Sequence, residues 1–297
     1  MKLTEYLKKE VPKLDDLLLI DGADGTNVIT FEKLAKALKS LNEISSINQF
    51  WDWLDEVIPM DVRCTFIRGK NLGNALTKEQ AKNIVNGSFK GFFIGDYWVG
   101  KSADDVNVSY QIADINYWYR KGQFGSDCRK PHLVLFPNRY NLISEGTSQT
   151  TNDGYLGSSM HEFLHSEMPK LLASMLKEDD VLSFQENLSN KAVNGVATSS
   201  IFVDNVKYVL PTMSMLVGGY SGNRYDCGFD VQPLRLLTNG GYTYMRDSNF
   251  NVVPTRDITS VNTLLCLLSN GVVSDFALAF RNTVRSVFGI TGEATAS

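Results

Sequence analysis

Phe92-Phe93-Ile94-Gly95-Asp96-Tyr97-Trp98 is the stretch on which the fold turns. It is short and dense in apolar side chains, which is the signature of a buried strand. Leu133-Val134-Leu135-Phe136 has the same character, and Gln111-Ile112-Ala113-Asp114-Ile115 between them reads as a further strand. Upstream, Val62 to Ile67 alternates as a strand ending at Arg68-Gly69, and Thr77-Lys78-Glu79-Gln80 has the S/T-x-x-E/Q form of a capping box. That box is expected to open a helix running to Asn86-Gly87. Downstream, Ser144 to Asp153 is a polar, Thr-rich loop. The strongest helical pattern runs from Ser158 to Leu176, with Phe163, Leu164, Met168, Leu171, Leu172 and Met175 on one side. The last third holds Tyr242 to Arg246 and Phe276 to Phe280, then a turn at Arg281-Asn282-Thr283 and a final strand, Val284 to Ile290. Strands broken by long loops, with few helices, predict an α+β fold and not a regular βαβ array.

Residues 1–60 read as a small α/β module of their own, and residues 61–297 as one large domain. In the module, Leu17 to Ile20 and Asn27 to Thr30 are short strands around the turn cluster Asp21-Gly22-Ala23-Asp24-Gly25-Thr26. Thr30 caps a helix with Phe31, Leu34, Ala35, Leu38 and Leu41 on its apolar face, and a second amphipathic stretch, Ile47 to Ile58, stops at Pro59. The turn cluster is not a calcium loop. Ala23 and Gly25 stand at the third and fifth positions, where such a loop needs side-chain oxygens.

Composition narrows the function classes. With 43% hydrophobic and 21% charged residues the chain is an ordinary folding sequence, and a net charge of −4 offers no basic excess to neutralise a phosphate backbone. Nucleic acid is therefore not an expected partner. The charged N-terminus lacks the apolar core of a signal peptide, and no apolar run approaches the roughly 18 residues that a membrane span needs. A soluble product made in a bacterial cytoplasm without an export signal is expected. Cys64, Cys128, Cys227 and Cys266 show no C-x-x-C spacing and read as reduced thiols.

Several stretches, taken in order, resemble a family of bacteriophage virion proteins associated with the capsid or the tail. They are Arg68-Gly69-Lys70-Asn71-Leu72-Gly73, Asn86-Gly87-Ser88-Phe89, Gly95-Asp96-Tyr97-Trp98, Ile112-Ala113-Asp114, Tyr117-Trp118-Tyr119 and His132-Leu133-Val134. The most distinctive is Gly154-Tyr155-Leu156-Gly157-Ser158-Ser159-Met160. The resemblance spans roughly residues 61–290. It implies a C-type-lectin/formylglycine-generating-enzyme-like domain, a mixed sheet with long loops and a packed helix, in which a late strand pairs back into the sheet. It also implies a non-enzymatic virion protein without a cofactor. Such a protein would be a homo-oligomer or docked on other virion proteins, with binding of a host cell-surface glycan as a further role. The family's Trp-Leu-Arg and Gly-Val-Arg-Pro elements stand here as Tyr244-Met245-Arg246 and Thr283-Val284-Arg285-Ser286. The segment from Leu18 through Leu38 resembles the small N-terminal modules of phage structural proteins, which implies docking on the particle.

One motif points elsewhere. His161-Glu162-Phe163-Leu164-His165 matches H-E-x-x-H on the best helix, and at i and i+4 its imidazoles share a face on which zinc could bind and activate water. A zinc metallopeptidase is thus the alternative reading. The metzincin continuation fails, because Met168 and Leu171 stand where a Gly and a third His are needed, and Glu186 is a carboxylate that could complete a site. The competing reading makes His161 and His165 flanks of an apolar stripe, with Glu162 and Glu167 facing water. His132, opening an apolar strand, reads as structural, and Asp104-Asp105 and Asp179-Asp180 as solvated turns. For ligand binding, the Gly-rich region Val217 to Tyr244 is expected to matter most. Tyr220, Arg224, Tyr225, Tyr242, Tyr244 and Arg246 offer flat area and cations for sugars or acidic polymers at small entropic cost.

Overall fold

A computed structural model describes residues 17–22, 25–30, 46–123, 125–144, 155, 158–193, 196–218, 232–238, 252–260, 263–268, 273–277 and 282–297. The chain divides into two compact units, Met1–Arg63 and Cys64–Ser297. In the first, β1 (Leu17–Gly22) and β2 (Gly25–Thr30) form an antiparallel hairpin in which Gly22 faces Gly25. Helix α1 (Ile47–Val57) begins at Ser46, whose Oγ accepts from the Gln49 N–H at 3.3 Å. The expected strand from Val62 is not formed. Pro59, with its fixed φ, is followed by the short helix α2 (Met60–Arg63), and the Arg63 guanidinium turns back to pair with Asp55. Of that predicted strand, Ile67 alone pairs, in an isolated parallel bridge to Ile94. The helix expected on Phe31 to Leu41 lies outside the described residues.

The second unit is α+β. Thr77 caps α3 (Lys78–Val85) through a full capping box with Gln80, as the spacing predicts. Strands β3 (Tyr97–Lys101), β4 (Asn107–Ile115) and β5 (Leu133–Pro137) run antiparallel and in sequence order. Phe92 to Ile94 are buried but not in a strand, because a turn centred on Gly95 (φ +85°) separates them from β3. β6 (Leu142–Ser144) follows, then α4 (Ser159–Leu172). The stripe Met160, Leu164, Met168 and Leu172 is buried at i, i+4 spacing, and α4 packs against β3 and β6. The helix stops short of Leu176, and a turn carries Met175 and Leu176 into the core.

A long ribbon comes next, made of β7 (Phe184–Val193) and β8 (Val196–Val206), then the short β9 (Tyr208–Val209). Helices α5 (Met213–Val217) and α6 (Arg235–Thr238) precede a three-stranded antiparallel sheet of β10 (Val252–Ser260), β11 (Thr263–Leu268) and β12 (Val273–Ala277). The turn expected at Asn282-Thr283 is instead β13 (Asn282–Val284), paired with β6, and β14 (Val287–Ile290) closes the main sheet. Its order is β3-β4-β5-β14-β9. The late strand therefore lies between β5 and β9. Helix α4 also contacts β9, at the edge opposite β3. The named ladders are all antiparallel, not mixed. Parallel pairing among the described residues is confined to the isolated bridges Ile67–Ile94 and Asn71–Tyr97. The terminal α7 (Glu293–Ala296) packs against α3.

Candidate functional site

Helix α4 carries the sharpest chemistry. Ser158 accepts from the His161 N–H at 3.3 Å and so starts the helix where His161 and His165 fall on one face. Their ring centroids are 4.2 Å apart. Each imidazole also meets a tyrosine edge to face: Tyr155 lies 5.5 Å from His161 and Tyr208 5.7 Å from His165. The row continues through Phe288, 5.9 Å from Tyr208, to Tyr110, 6.0 Å further on. The His165 Nδ1 lies 2.9 Å from the His161 carbonyl, one helical turn back, so Nδ1–H donates there. Burial, helped by the nearby His165, pushes His161 down to about 4, so this imidazole is neutral at pH 7.

Among the described residues the rest of a metal site does not assemble around this pair. Glu162 is exposed, and the Glu186 carboxylate is fully buried and ion-paired to Arg256 at 2.9 Å, tying β7 to β10. Among the described residues no group of three His, Cys, Asp or Glu side chains could hold a metal ion. What the pair forms is a half-buried segment of an aromatic row, in which the neutral His161 imidazole can accept a hydrogen bond.

Several polar side chains between Arg68 and His132 are spent on holding neighbouring segments in place. Asp96, fully buried, takes a bidentate clasp from Arg68 at 3.0 and 2.6 Å, and accepts the Lys70 and Phe93 N–H groups at 2.8 and 2.9 Å. A bulge in β4 between Ile112 and Asp114 re-aims Asp114, whose Oδ2 accepts the Arg235 N–H at the start of α6. Burial raises Asp114 to about 6, against the opposing pull of Arg235. Tyr117 donates to the Gln232 carbonyl at 2.7 Å. His132 is buried, with Nδ1–H donating to the Lys130 carbonyl at 2.8 Å while Nε2 accepts the Trp118 N–H at 3.1 Å. Desolvation holds it down at about 4, consistent with that neutral tautomer.

The six binding residues expected in the Gly-rich region (Tyr220, Arg224, Tyr225, Tyr242, Tyr244 and Arg246) lie outside the described residues. Asp179-Asp180 is not a solvated turn. Asp180 is fully buried and accepts from Thr295 through both carboxylate oxygens, at 2.8 and 2.5 Å. Its carbonyl takes the Thr291 N–H at 2.7 Å, which ties the chain end to the sheet. No sequence signal marks this role beyond an acid beside a turn. The β7–β8 ribbon, by contrast, had one: Asn194-Gly195 in the sequence falls between the paired Val193 and Val196.

No helix among the described residues is long and apolar enough to cross a membrane. No protein-family model, curated protein or solved structure matches the chain.

Proposed function

We propose that the chain is a non-catalytic structural protein of a bacteriophage particle. The Cys64–Ser297 unit is its C-type-lectin-like display domain, and the small N-terminal module is its docking piece. The observation that carries this reading is the use of Arg68, Asp96, Asp114, Tyr117 and His132: each fastens a segment outside the strands to the frame. A frame that spends its buried polar groups on holding loops suits display, since binding surfaces are carried on loops fixed by a rigid scaffold. The late strand β14, inserted between β5 and β9, supports the lectin-like reading of the fold.

Self-association is supported by the ribbons. The β7–β8 pair is a two-stranded sheet among the described residues, and Phe202 on β8 is exposed. Beyond its packing on β10, the ribbon pairs with no further strand among the described residues, and sheet edges are ready templates for another chain. Neighbouring subunits in a particle would cover them. The test is fractionation of a phage lysate on a density gradient. The chain co-sediments with intact particles under this reading, and stays in the soluble fraction if it is a free lectin or an enzyme.

The second reading, a zinc peptidase, is favoured only by the facing of His161 and His165 at 4.2 Å. Hydrolysis of a casein substrate that is abolished by Glu162→Gln would establish it.

A further inference from the structure

Beside α3 lies a cleft of about 360 Å³, at the lower end of the size of small-molecule sites. Its polar lining includes Lys70, Asn71, Glu79, Gln80, Asn83 and Lys90, and the buried Phe92 ring with the half-buried Leu72 gives it an apolar part. The three amides are held by the scaffold. Gln80 donates to the Leu72 carbonyl at 3.1 Å and accepts from the Thr77 N–H at 2.9 Å and the Trp98 indole at 3.3 Å. The Asn71 Oδ1 accepts the Gly73 N–H at 2.8 Å, leaving its Nδ2 free to donate. The Asn83 Nδ2 donates to the Lys90 carbonyl at 3.1 Å, leaving its Oδ1 free to accept. The ammonium groups of Lys70 and Lys90 and the carboxylate of Glu79 are in no ion pair among the described residues.

The cleft thus presents fixed donors and fixed acceptors side by side, with two cations against one anion. A hydroxyl both donates and accepts, so a row of them matches Asn71, Asn83 and Glu79 together. The surplus cation selects a ligand that also carries negative charge. The geometry points to a binding site for an acidic sugar, its hydroxyls held by the amides and Glu79 and its carboxylate by Lys70 and Lys90. Because Asn71, Gln80 and Asn83 are already oriented by their own hydrogen bonds, little ordering remains to be done on binding. The site lies entirely within Cys64–Ser297 and does not depend on the virion reading.

The test uses the full chain, labelled with ¹⁵N and titrated with sodium D-glucuronate, D-glucose and inorganic phosphate. Glucuronate should shift the amide signals of Lys70, Asn71, Gln80, Asn83 and Lys90, and bind roughly tenfold more tightly than glucose, about the value of one charge-assisted contact. Phosphate should bind more weakly than glucuronate. The double variant Lys70→Ala, Lys90→Ala changes two exposed side chains and should keep its urea midpoint while losing the preference for glucuronate over glucose. Shifts confined to other regions, an unchanged preference in the double variant, or phosphate binding as tightly as glucuronate (an adventitious anion only) would each overturn the proposal.

Discussion

The Arg68 guanidinium clasps both oxygens of Asp96 from 28 residues away in the chain, with neither side chain more than 7% exposed. This pair joins the Arg68–Gly73 segment to the start of β3, and the two backbone N–H groups that Asp96 also accepts fix the loop leading into that strand. Removing one partner of a buried pair leaves the other charge without compensation. Asp96→Asn should lower unfolding free energy by about 3 to 5 kcal/mol. Adding Arg68→Leu should recover part of that loss, and urea denaturation of the single and double variants measures both.

Two glycines separate conformation from close contact. Gly69 (φ +80°) has open space where a Cβ would stand, whereas at Gly292 (φ +73°) a Cβ would lie 2.9 Å from the Ala81 Cα on α3. Gly69→Ala should cost about 1 kcal/mol, for the left-handed backbone alone. Gly292→Ala should cost roughly 2 to 4 kcal/mol, because helix α3 must also move. Equal urea midpoints for the two variants would remove the contact argument.

The buried histidine gives a pH signature with a definite sign. His132 sits near 4 in the folded chain and near 6.5 unfolded, so its contribution is complete above pH 6.5 and is lost as pH falls toward 4. By pH 4.5 that loss is roughly 2 to 3 kcal/mol. His161 acts in the same direction, while Asp114, raised to about 6, opposes both by favouring the folded state at low pH. His132→Asn should therefore be less stable at pH 7, with a shallower loss between pH 6.5 and 4.5. Stability measured by urea at five pH values, in the native chain and the variant, resolves the difference.

The aromatic setting of His161 and His165 leads to a further expected outcome. Protein purified without added metal should contain well under one zinc per chain by plasma mass spectrometry. Near-stoichiometric zinc that disappears in His161→Ala would instead favour the peptidase reading.

Where local chemistry was strong, the sequence was legible. The Thr77–Gln80 box, the His-bearing helix and the strands around Ile112 and Val134 follow from capping and apolar patterning. Tertiary partners overrode pattern elsewhere. Pro59 and the Arg63–Asp55 pair turn the predicted strand at Val62 into a helical turn, and the Gly95 turn takes Phe92 and Phe93 into the core without strand pairing. Asn282-Thr283 looks like a turn until β6 is present to pair with it. For the candidate site, i, i+4 spacing was enough to bring His161 and His165 together. The clamp from Asp180 to Thr295 joins residues 115 apart, a distance over which no local pattern speaks.

We propose that the chain is part of a phage particle, a claim that quantitative mass spectrometry of gradient-purified phage particles decides. Peptides from both Met1–Arg63 and Cys64–Ser297 are expected, at a fixed copy number per particle comparable with other structural proteins. Particles that are intact and infectious yet contain none of the chain, while the lysate holds it in quantity, would contradict the claim.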